Sequence, residues 1–258
     1  MNQVSTTDLA FWLDQTLQPE RFRDYCPNGL QVEGKATISH IIAGVTASQA
    51  LLRAAVDRRA DAVLVHHGWF WKNENPCIVG TKRQRLDLAL RAQLNLFAYH
   101  LPLDAHPVLG NNAQLARALG LEPERHEDGS PRTCGPDNLV WLGRCQPPRT
   151  LDELRHTICN ALQRTPLVVG NPQQVIERVA WCTGAAQGMM PSAIDAGAQL
   201  YITGEASEQT FHLAQETGTA FVAAGHHATE RYGVAALGRA IAEEFGIRVD
   251  FVDIDNPI

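Results

Sequence analysis

The chain has 258 residues, 45% of them hydrophobic and 19% charged, which is enough for one large globular domain or two smaller ones. A net charge of -6 and the absence of a long basic run argue against binding to nucleic acid or to an anionic membrane surface. No segment approaches the roughly 20 consecutive apolar residues of a transmembrane helix, and the first residues lack the basic and apolar regions of a signal peptide. The six cysteines include no C-x-x-C pair, so we expect reduced thiols in a cytoplasmic protein.

The first half of the chain predicts strands that alternate with helices. Ser5 and Asp8 have the spacing of a capping box, which predicts a helix that begins near Ser5. Further strands and helices are predicted, in chain order, over residues 41–45, 48–59, 62–65, 83–93 and 96–99. Continuous apolar strands that alternate with amphipathic helices are typical of a mainly parallel sheet covered by helices.

The second half shows the same order of elements. Thr150 and Glu153 again have capping-box spacing, ahead of a predicted helix. Three strands and a long helix are then predicted over residues 179–183, 200–203, 220–224 and 228–245.

An ungapped shift of 138 positions tests whether the two halves are related. It lays Ile42 on Ala180 and Val63 on Tyr201, and it puts His67 on Glu205. Any two strand-helix-strand units look alike, but the matching element lengths favour an internal duplication. The segment 122–136, rich in proline, glycine and charge, is the predicted junction. We therefore predict two related α/β lobes, over residues 1–125 and 126–258.

Half of the ten histidines come just after a predicted strand. They are His66, His67, His100, His226 and His227. In open α/β sheets, ligands bind in the crevice beyond the carboxyl ends of the strands. Asp104 lies four residues past His100, and Glu230 lies four past His226. Each of these residues alone is more often a packing or capping residue, but together at one sheet edge they favour a metal site in the cleft between the lobes.

The spacing of these residues leaves the ligand set partly open. Positions 226 and 230 share one helix face, but His227 and Glu230, three apart, can also meet. Adjacent side chains such as His66 and His67 diverge, so they suit two ions bridged by a carboxylate better than one ion. Imidazole and carboxylate ligands without thiolate fit Zn, Fe, Mn, Ni or Co.

Two weaker features lie near these histidines. The segment from Gly184 to Gly188 follows a strand, and its backbone N–H groups could cradle a phosphate, although a tight turn explains the glycines equally. Trp69 and Trp71 could stack on a nucleobase, pack the loop or lie in a subunit interface.

Five motifs make the chain resemble the NIF-three-like proteins, most closely the bacterial YbgI type. They are PNGLQV at 27–32, LVHHG at 64–68, YHLPLD at 99–104, ITGE at 202–205 and GHHATER at 225–231. The resemblance implies a dinuclear metal site with His66, His67, Asp104 and His226 as ligands and Glu230 as the bridge between the ions. Many members have tyrosine in place of His227, which argues against it as a ligand. The resemblance also implies two related lobes and a ring-shaped homohexamer.

Members of that family are often labelled GTP cyclohydrolase I type two homologs, which leads to two hypotheses. The first is a metal-dependent hydrolase that acts on a nucleotide or a related small molecule, with His100 as general acid/base and Glu205 as a second candidate. His100 could instead orient Asp104. The second is a metal carrier or adaptor without catalysis. An open coordination position favours the first hypothesis, and a saturated one favours the second.

Overall fold

The computed structural model describes residues 2–258, which form 14 strands and nine α-helices. Strands β1 to β14 are Val4–Ser5, Gly29–Val32, Thr37–Ile38, His40–Thr46, Ala62–His67, Asn95–Ala98, Glu122–Pro123, Thr133–Cys134, Val140–Thr150, Leu167–Val169, Val175–Trp181, Leu200–Thr203, Ala220–Ala223 and Arg248–Phe251. Helices α1 to α9 are Thr6–Leu17, Gln49–Asp57, Gly80–Arg91, Leu101–Ala105, Asn111–Leu119, Leu151–Leu162, Met190–Asp195, Glu208–Thr217 and His226–Phe245. None of these helices combines the length and the apolar character that crossing a bilayer requires.

The chain divides into two compact units at positions that differ from the predicted boundary between residues 125 and 126. Unit 1 comprises the residues up to Gly110 together with Gly233–Asp255, and unit 2 comprises Asn111–Tyr232 with Asn256–Ile258. The difference has two causes. Strand β14 pairs in parallel with β4, which returns the chain to unit 1. The predicted junction at 122–136 contains β7 and β8, and both pair with β9 inside unit 2.

The sheet of unit 1 is mainly parallel, as predicted. Its strand order is β14-β4-β5-β6-β2, and only the edge strand β2 runs antiparallel to its neighbour. Successive side chains of β4 point to opposite faces, and each face is buried by different helices. Ile41 packs with residues of α1 and α9, whereas Ile42 packs with residues of α2 and α3. The sheet is therefore covered on both faces, which explains why its strands read as unbroken apolar runs.

The sheet of unit 2 is mixed rather than mainly parallel. Its strand order is β10-β13-β12-β11-β9-β7, with β8 also paired to β9. Strands β11, β12 and β13 are parallel, but β9 runs antiparallel to β11 and adds β7 and β8 as antiparallel neighbours. The buried face of this sheet packs against α5 and α6 through residues such as Trp181 and Ile158. The expected capping box starts α6, where Thr150 accepts from the backbone N–H of Glu153.

The parallel parts of the two sheets correspond in register. Ile41 pairs with Ala62 across β4 and β5, and Val179 pairs with Leu200 across β11 and β12. Adding 138 to the first pair gives the second. The strand orders β4-β5-β6-β2 and β11-β12-β13-β10 also agree in every strand direction. The two α/β units are related in fold, while their origin by duplication stays a prediction.

Candidate metal centre

Every candidate residue lies at or beyond the carboxyl end of a parallel strand, as predicted. Unit 1 contributes a group that we call the imidazole cluster: His66, His67, His100 and Asp104, after β5 and β6. Unit 2 contributes a group that we call the carboxylate cluster: Glu205, His226 and Glu230, after β12 and β13. In each unit, adjacent parallel strands end at the same edge of the sheet, which brings residues distant in sequence together.

The three histidine rings of the imidazole cluster contact one another. Their centroids are 4.6 Å apart for His66 and His67, 5.1 Å for His66 and His100, and 5.7 Å for His67 and His100. One ring nitrogen of each lies within 4.8 Å of those of the other two, so the three are placed to share one ion.

The tautomer of His66 is set by a backbone carbonyl. The ring is fully buried, and its Nδ1 lies 3.0 Å from the carbonyl oxygen of Tyr99. Because a carbonyl oxygen only accepts, Nδ1 carries a proton, and in the neutral ring Nε2 then has the lone pair that can bind a metal ion. That Nε2 lies 3.5 Å from Oδ1 of Asp104, a carboxylate that is itself buried. His66 therefore presents a ligand nitrogen beside a carboxylate oxygen.

His67 is held from the neighbouring strand. Thr46 ends β4 directly opposite His67 in the ladder, and its hydroxyl lies 3.2 Å from Nδ1 of the ring. A hydroxyl can donate or accept, so this contact holds the ring without selecting its tautomer. The contact with Thr46 therefore engages Nδ1 of His67 rather than Nε2.

His100 is anchored by a carboxylate that the motifs did not reveal. Its Nδ1 lies 2.7 Å from Oδ1 of Asp24, whose side chain is 3% exposed. Burial by itself raises the pKa of Asp24, but hydrogen bonds from His100, from the Asn28 side chain and from the backbone N–H of Leu101 outweigh it and lower that pKa to about 2. Asp24 is therefore ionised near neutral pH and accepts the Nδ1 proton of His100.

The two tryptophans beside the imidazole cluster have different environments. Trp69 is buried and donates its indole N–H to the carbonyl of Ala47 at 2.9 Å, so it packs the loop. Trp71 is half-buried, and its ring lies edge-on to His100 at 5.0 Å. Trp71 thus borders the imidazole cluster.

His226 is the centre of the carboxylate cluster. Its Nδ1 lies 2.7 Å from Oε1 of Glu205, and its Nε2 lies 3.1 Å from Oε2 of Glu230. Burial by itself lowers the pKa of His226, but the carboxylates of Glu230 and Glu205 outweigh it and raise that pKa to about 9. The surroundings of Nε2 therefore favour a positive charge, whether a proton or a metal ion supplies it.

The structure distinguishes His226 from His227, between which spacing did not choose. Among residues 2–258, several groups of three or more His, Cys, Asp or Glu side chains lie close enough together to share an ion, and none of these groups includes His227. The His227 side chain is buried, and its backbone N–H donates to the carbonyl of Ile258 at 3.0 Å.

Gly184 backs directly onto the carboxylate cluster. It adopts φ +71°, and a Cβ added there would overlap Oε1 of Glu230 and lie 3.3 Å from Nε2 of His226. Its backbone N–H donates to Thr229 at 3.0 Å. The glycine at this position is explained by the tight turn and by the close approach of Glu230, which favours that interpretation over a phosphate cradle.

Backbone hydrogen bonds join the loops that lead to Glu205 and His226 to each other and to the loop of Gly184. The N–H of Gly204 donates to the carbonyl of Gly184 at 2.8 Å, and the N–H of Gly225 donates to that of Gly204 at 2.9 Å. These loops follow β11, β12 and β13 in turn. The positions of Glu205 and His226 are therefore fixed by main-chain contacts as well as by their own side chains.

Both clusters have the donor chemistry that a divalent ion requires. Metal-binding histidines usually donate the second ring N–H to a carbonyl or carboxylate, which orients the ring. His66, His100 and His226 show this arrangement, with Tyr99, Asp24 and Glu205 as the respective acceptors. Buried carboxylates such as Asp104 and Glu230 are costly unless a cation or hydrogen bonds stabilise them.

Comparison with known proteins identifies relatives over almost the whole chain. A sequence model described as Duf34/NIF3 (NGG1p interacting factor 3) matches residues 4–257. A protein of Pseudomonas aeruginosa named GTP cyclohydrolase 1 type 2 homolog is 55% identical over 256 residues, covering 98% of this chain and 99% of the relative. A Neisseria meningitidis serogroup B protein of the same name is 52% identical over 254 residues, with the same coverage.

Solved structures agree with the fold. The structure of protein ybgI, described as of unknown function, superposes with a TM-score of 0.92 at 48% identity and covers 99% of this chain and 100% of that one. A Thermus thermophilus protein superposes with a TM-score of 0.85 at 34% identity, with the same coverage. The predicted α/β fold of two related units is confirmed.

Proposed function

This chain belongs to the Duf34/NIF3 family, and we propose that it is a metal-dependent hydrolase acting on a nucleotide or a related cyclic or phosphorylated small molecule. One observation carries the proposal: in both units, a histidine Nδ1 donates to a fixed acceptor, which leaves Nε2 beside a carboxylate as the nitrogen able to bind an ion. The name of the relatives, GTP cyclohydrolase 1 type 2 homolog, supports the substrate class.

The proposed metal ligands keep the set expected from the sequence. They are His66, His67 and Asp104 in unit 1, and His226 and Glu230 in unit 2, for two divalent ions per chain. Zn, Fe, Mn, Ni and Co all suit imidazole and carboxylate ligands. Such ions, when bound, activate water and polarise the substrate's electrophile.

His100 is proposed as the general acid/base. Asp24 accepts its Nδ1 proton, so the proton that it exchanges with substrate or water is carried at Nε2. The same geometry also suits a third imidazole ligand beside His66 and His67. The two roles differ in one measurable respect, because a ligand is needed to retain metal and an acid/base group is not.

Glu205 is proposed to orient His226 rather than to exchange protons with substrate. Its carboxylate receives the Nδ1 proton of His226 at 2.7 Å, an arrangement that fixes a metal-binding imidazole and raises its basicity. Glu205 was a candidate acid/base group in the sequence because a shift of 138 places it on His67. The hydrogen bond to His226 supports the orienting role that we propose instead.

The setting of the activity is proposed from the family resemblance. We propose a homohexamer in the cytoplasm that acts on a small-molecule substrate. A carrier or adaptor that holds the ions without turnover is the alternative that the experiment below separates from the hydrolase.

The proposal is tested by measuring metal content together with hydrolysis of a panel of nucleotides that includes GTP. Wild type is expected to hold about two ions per chain and to turn over one substrate class only when metal is present. His67→Ala should lose metal without unfolding. His100→Ala should keep its metal and lose turnover by about 10²-fold or more. His156→Ala, a change of an exposed histidine in α6, is the matched control and should behave as wild type.

Each other outcome changes the assignment. Two ions without turnover of any substrate would support a carrier or adaptor instead. Loss of metal in His100→Ala would make His100 a ligand. A protein that retains no metal even after reconstitution would refute the metal site itself.

A further inference from the structure

Asp24 is a buried carboxylate that neither the motifs nor the proposed ligand set uses. It lies between α1 and β2, outside any helix or strand. Its side chain is 3% exposed, and Oδ1 lies 2.7 Å from Nδ1 of His100. A carboxylate so deeply buried is costly unless several donors stabilise it, so its presence beside His100 needs an explanation.

Three further donors fix the Asp24 carboxylate itself. The backbone N–H of Tyr25 donates to Oδ1 at 2.6 Å. The side chain of Asn28 and the backbone N–H of Leu101 donate to Oδ2 at 2.9 Å each. Each oxygen thus receives two donors, and the carboxylate cannot rotate without breaking several bonds at once. The geometry it offers to His100 is rigid.

His100 is restrained from its other sides as well. The Oδ1 of Asn28 accepts the backbone N–H of His100 at 2.7 Å, so Asn28 links the main chain of His100 to the carboxylate that holds its ring. The ring of Trp71 lies edge-on to it at 5.0 Å, and that of Tyr25 at 6.5 Å. The ring is therefore held at Nδ1 by the carboxylate of Asp24, and it also contacts the aromatic rings of Trp71 and Tyr25.

We propose that Asp24 is a positioning residue, which fixes His100 in the tautomer with the proton on Nδ1 and leaves Nε2 as the basic nitrogen of that ring. The effect of Asp24 on turnover rests on the proposed function, whereas its effect on the tautomer does not. The contrast with His67 supports the assignment, because the hydroxyl of Thr46 holds that ring without choosing a tautomer.

A metal site made of Asp24, Cys26 and His100 is the competing interpretation of the same side chains, which lie close enough together to share an ion. The thiol of Cys26 argues against it. Cys26 is buried, and burial together with the charge of Asp24 raises its pKa to about 12, so forming the thiolate there is more costly than for an ordinary cysteine. A thiolate is the form that binds metals.

The first test is a long-range imidazole ¹H–¹⁵N correlation spectrum of metal-free wild type, recorded above the usual titration range of histidine. His100 is expected to show a protonated Nδ1 and an unprotonated Nε2. Asp24→Asn should return His100 toward the Nε2-protonated form that free imidazoles favour, since an amide offers only one acceptor oxygen where four donors converge.

The matched control is Asp250→Asn. Asp250 also pairs with a histidine of unit 1, accepting from Nε2 of His40 at 2.9 Å. This variant should change the signals of His40 and leave those of His100 as in wild type.

The second test is turnover with the metal-loaded protein. Asp24→Asn should keep its metal content and its KM within about threefold while kcat falls by about 10²-fold, the size of a lost acid/base contribution. Asp250→Asn should keep the wild-type kcat.

The failures are distinguishable. If wild type turns over no substrate, the proposed function fails, and the tautomer spectrum still decides the role of Asp24. An Nε2-protonated His100 in wild type would overturn the positioning role. So would an Asp24→Asn variant that keeps full kcat, or one that loses metal in proportion to kcat.

Discussion

The imidazole cluster and the carboxylate cluster occupy corresponding strand ends but contain different chemistry. His67 ends β5. Glu205 follows β12, which takes the place of β5 in the sheet of unit 2 because the β11–β12 pairing has the register of the β4–β5 pairing. His100 follows β6, and His226 follows β13. The first cluster therefore has three imidazoles and one carboxylate, whereas the second has one imidazole between two carboxylates.

The difference shows which part of a site the fold determines. The parallel strands determine where loops converge, and this is common to both units. The loops determine the charge. Unit 1 contributes mostly imidazole side chains, whereas unit 2 contributes the two carboxylates that raise the pKa of His226 to about 9.

The largest expected effect concerns Gly184, which lies in the loop after β11 and packs against Glu230 of the carboxylate cluster. Gly184→Ala places a methyl group on Glu230 and requires an unfavourable backbone conformation at φ +71°. We expect a loss of about 3 kcal/mol in the free energy of unfolding, as for overpacked cores, together with a loss of bound metal. Thermal unfolding and metal analysis measure the two effects.

Gly188→Ala is the control for this substitution. It lies four residues along the same segment, where an added Cβ meets open space. It should retain wild-type stability and metal content. Equal effects of the two substitutions would show that the contact between Gly184 and Glu230 does not shape the cluster.

A smaller effect concerns the carboxylate behind His100 in unit 1. The pKa of Asp24 is about 2 in the folded protein and has a usual value of 3.8, so its ionised form stabilises the fold. That stabilisation is present above pH 3.8 and is lost as the pH falls through 2. A shift of this size corresponds to about 2 kcal/mol, which Asp24→Asn should lose at neutral pH.

Denaturant unfolding at several pH values between neutral and acid checks this prediction. The stability difference between wild type and Asp24→Asn should be constant above pH 3.8 and shrink below it. Asp57→Asn, at an exposed position at the end of α2, should follow wild type throughout. A difference that does not change with pH would mean that the ionisation of Asp24 is unrelated to its stabilising effect.

The smallest effect concerns the carboxylate that contacts His226 in unit 2. Glu205 is 34% exposed, so Glu205→Gln should fold normally. Its amide can still accept from Nδ1 of His226 but carries no charge, so we expect metal affinity to fall about 10-fold, at the lower end for such partners. Titration with metal in the presence of a competing chelator measures it. An unchanged affinity would show that Glu205 does not act through His226.

Much of the fold could be predicted from local pattern. Strands β4, β5 and β12 are continuous apolar runs, and the helix starts at Ser5 and Thr150 have side-chain caps that are visible as spacings. Strand β9 was missed because its polar and proline-containing end at 146–150 lacks such a run. The unit boundary was misplaced because the pairing of β14 with β4 is a contact between residues some 200 positions apart, which no local pattern records.

The candidate site divides in the same way. Its histidines were predicted because strand ends can be recognised in the sequence and adjacent parallel strands converge. Asp24 was not, because it lies outside any periodic segment and 76 positions from His100. A single aspartate in a turn-rich segment usually caps its own backbone. Its position four residues before Asn28, in a motif that was already recognised, was the one signal that could have pointed to it.

The return of the chain to unit 1 has a consequence for how the protein is made. Residues of α9 such as Val234, Leu237 and Ile241 belong to the core of unit 1, and β14 completes its sheet. During synthesis from the N-terminus, the segment 111–232 emerges before these residues exist, so unit 2 can fold while unit 1 still lacks an edge strand and part of its core. Until then β4 exposes the unpaired edge that β14 later covers, and the nascent chain is most open to misassembly there.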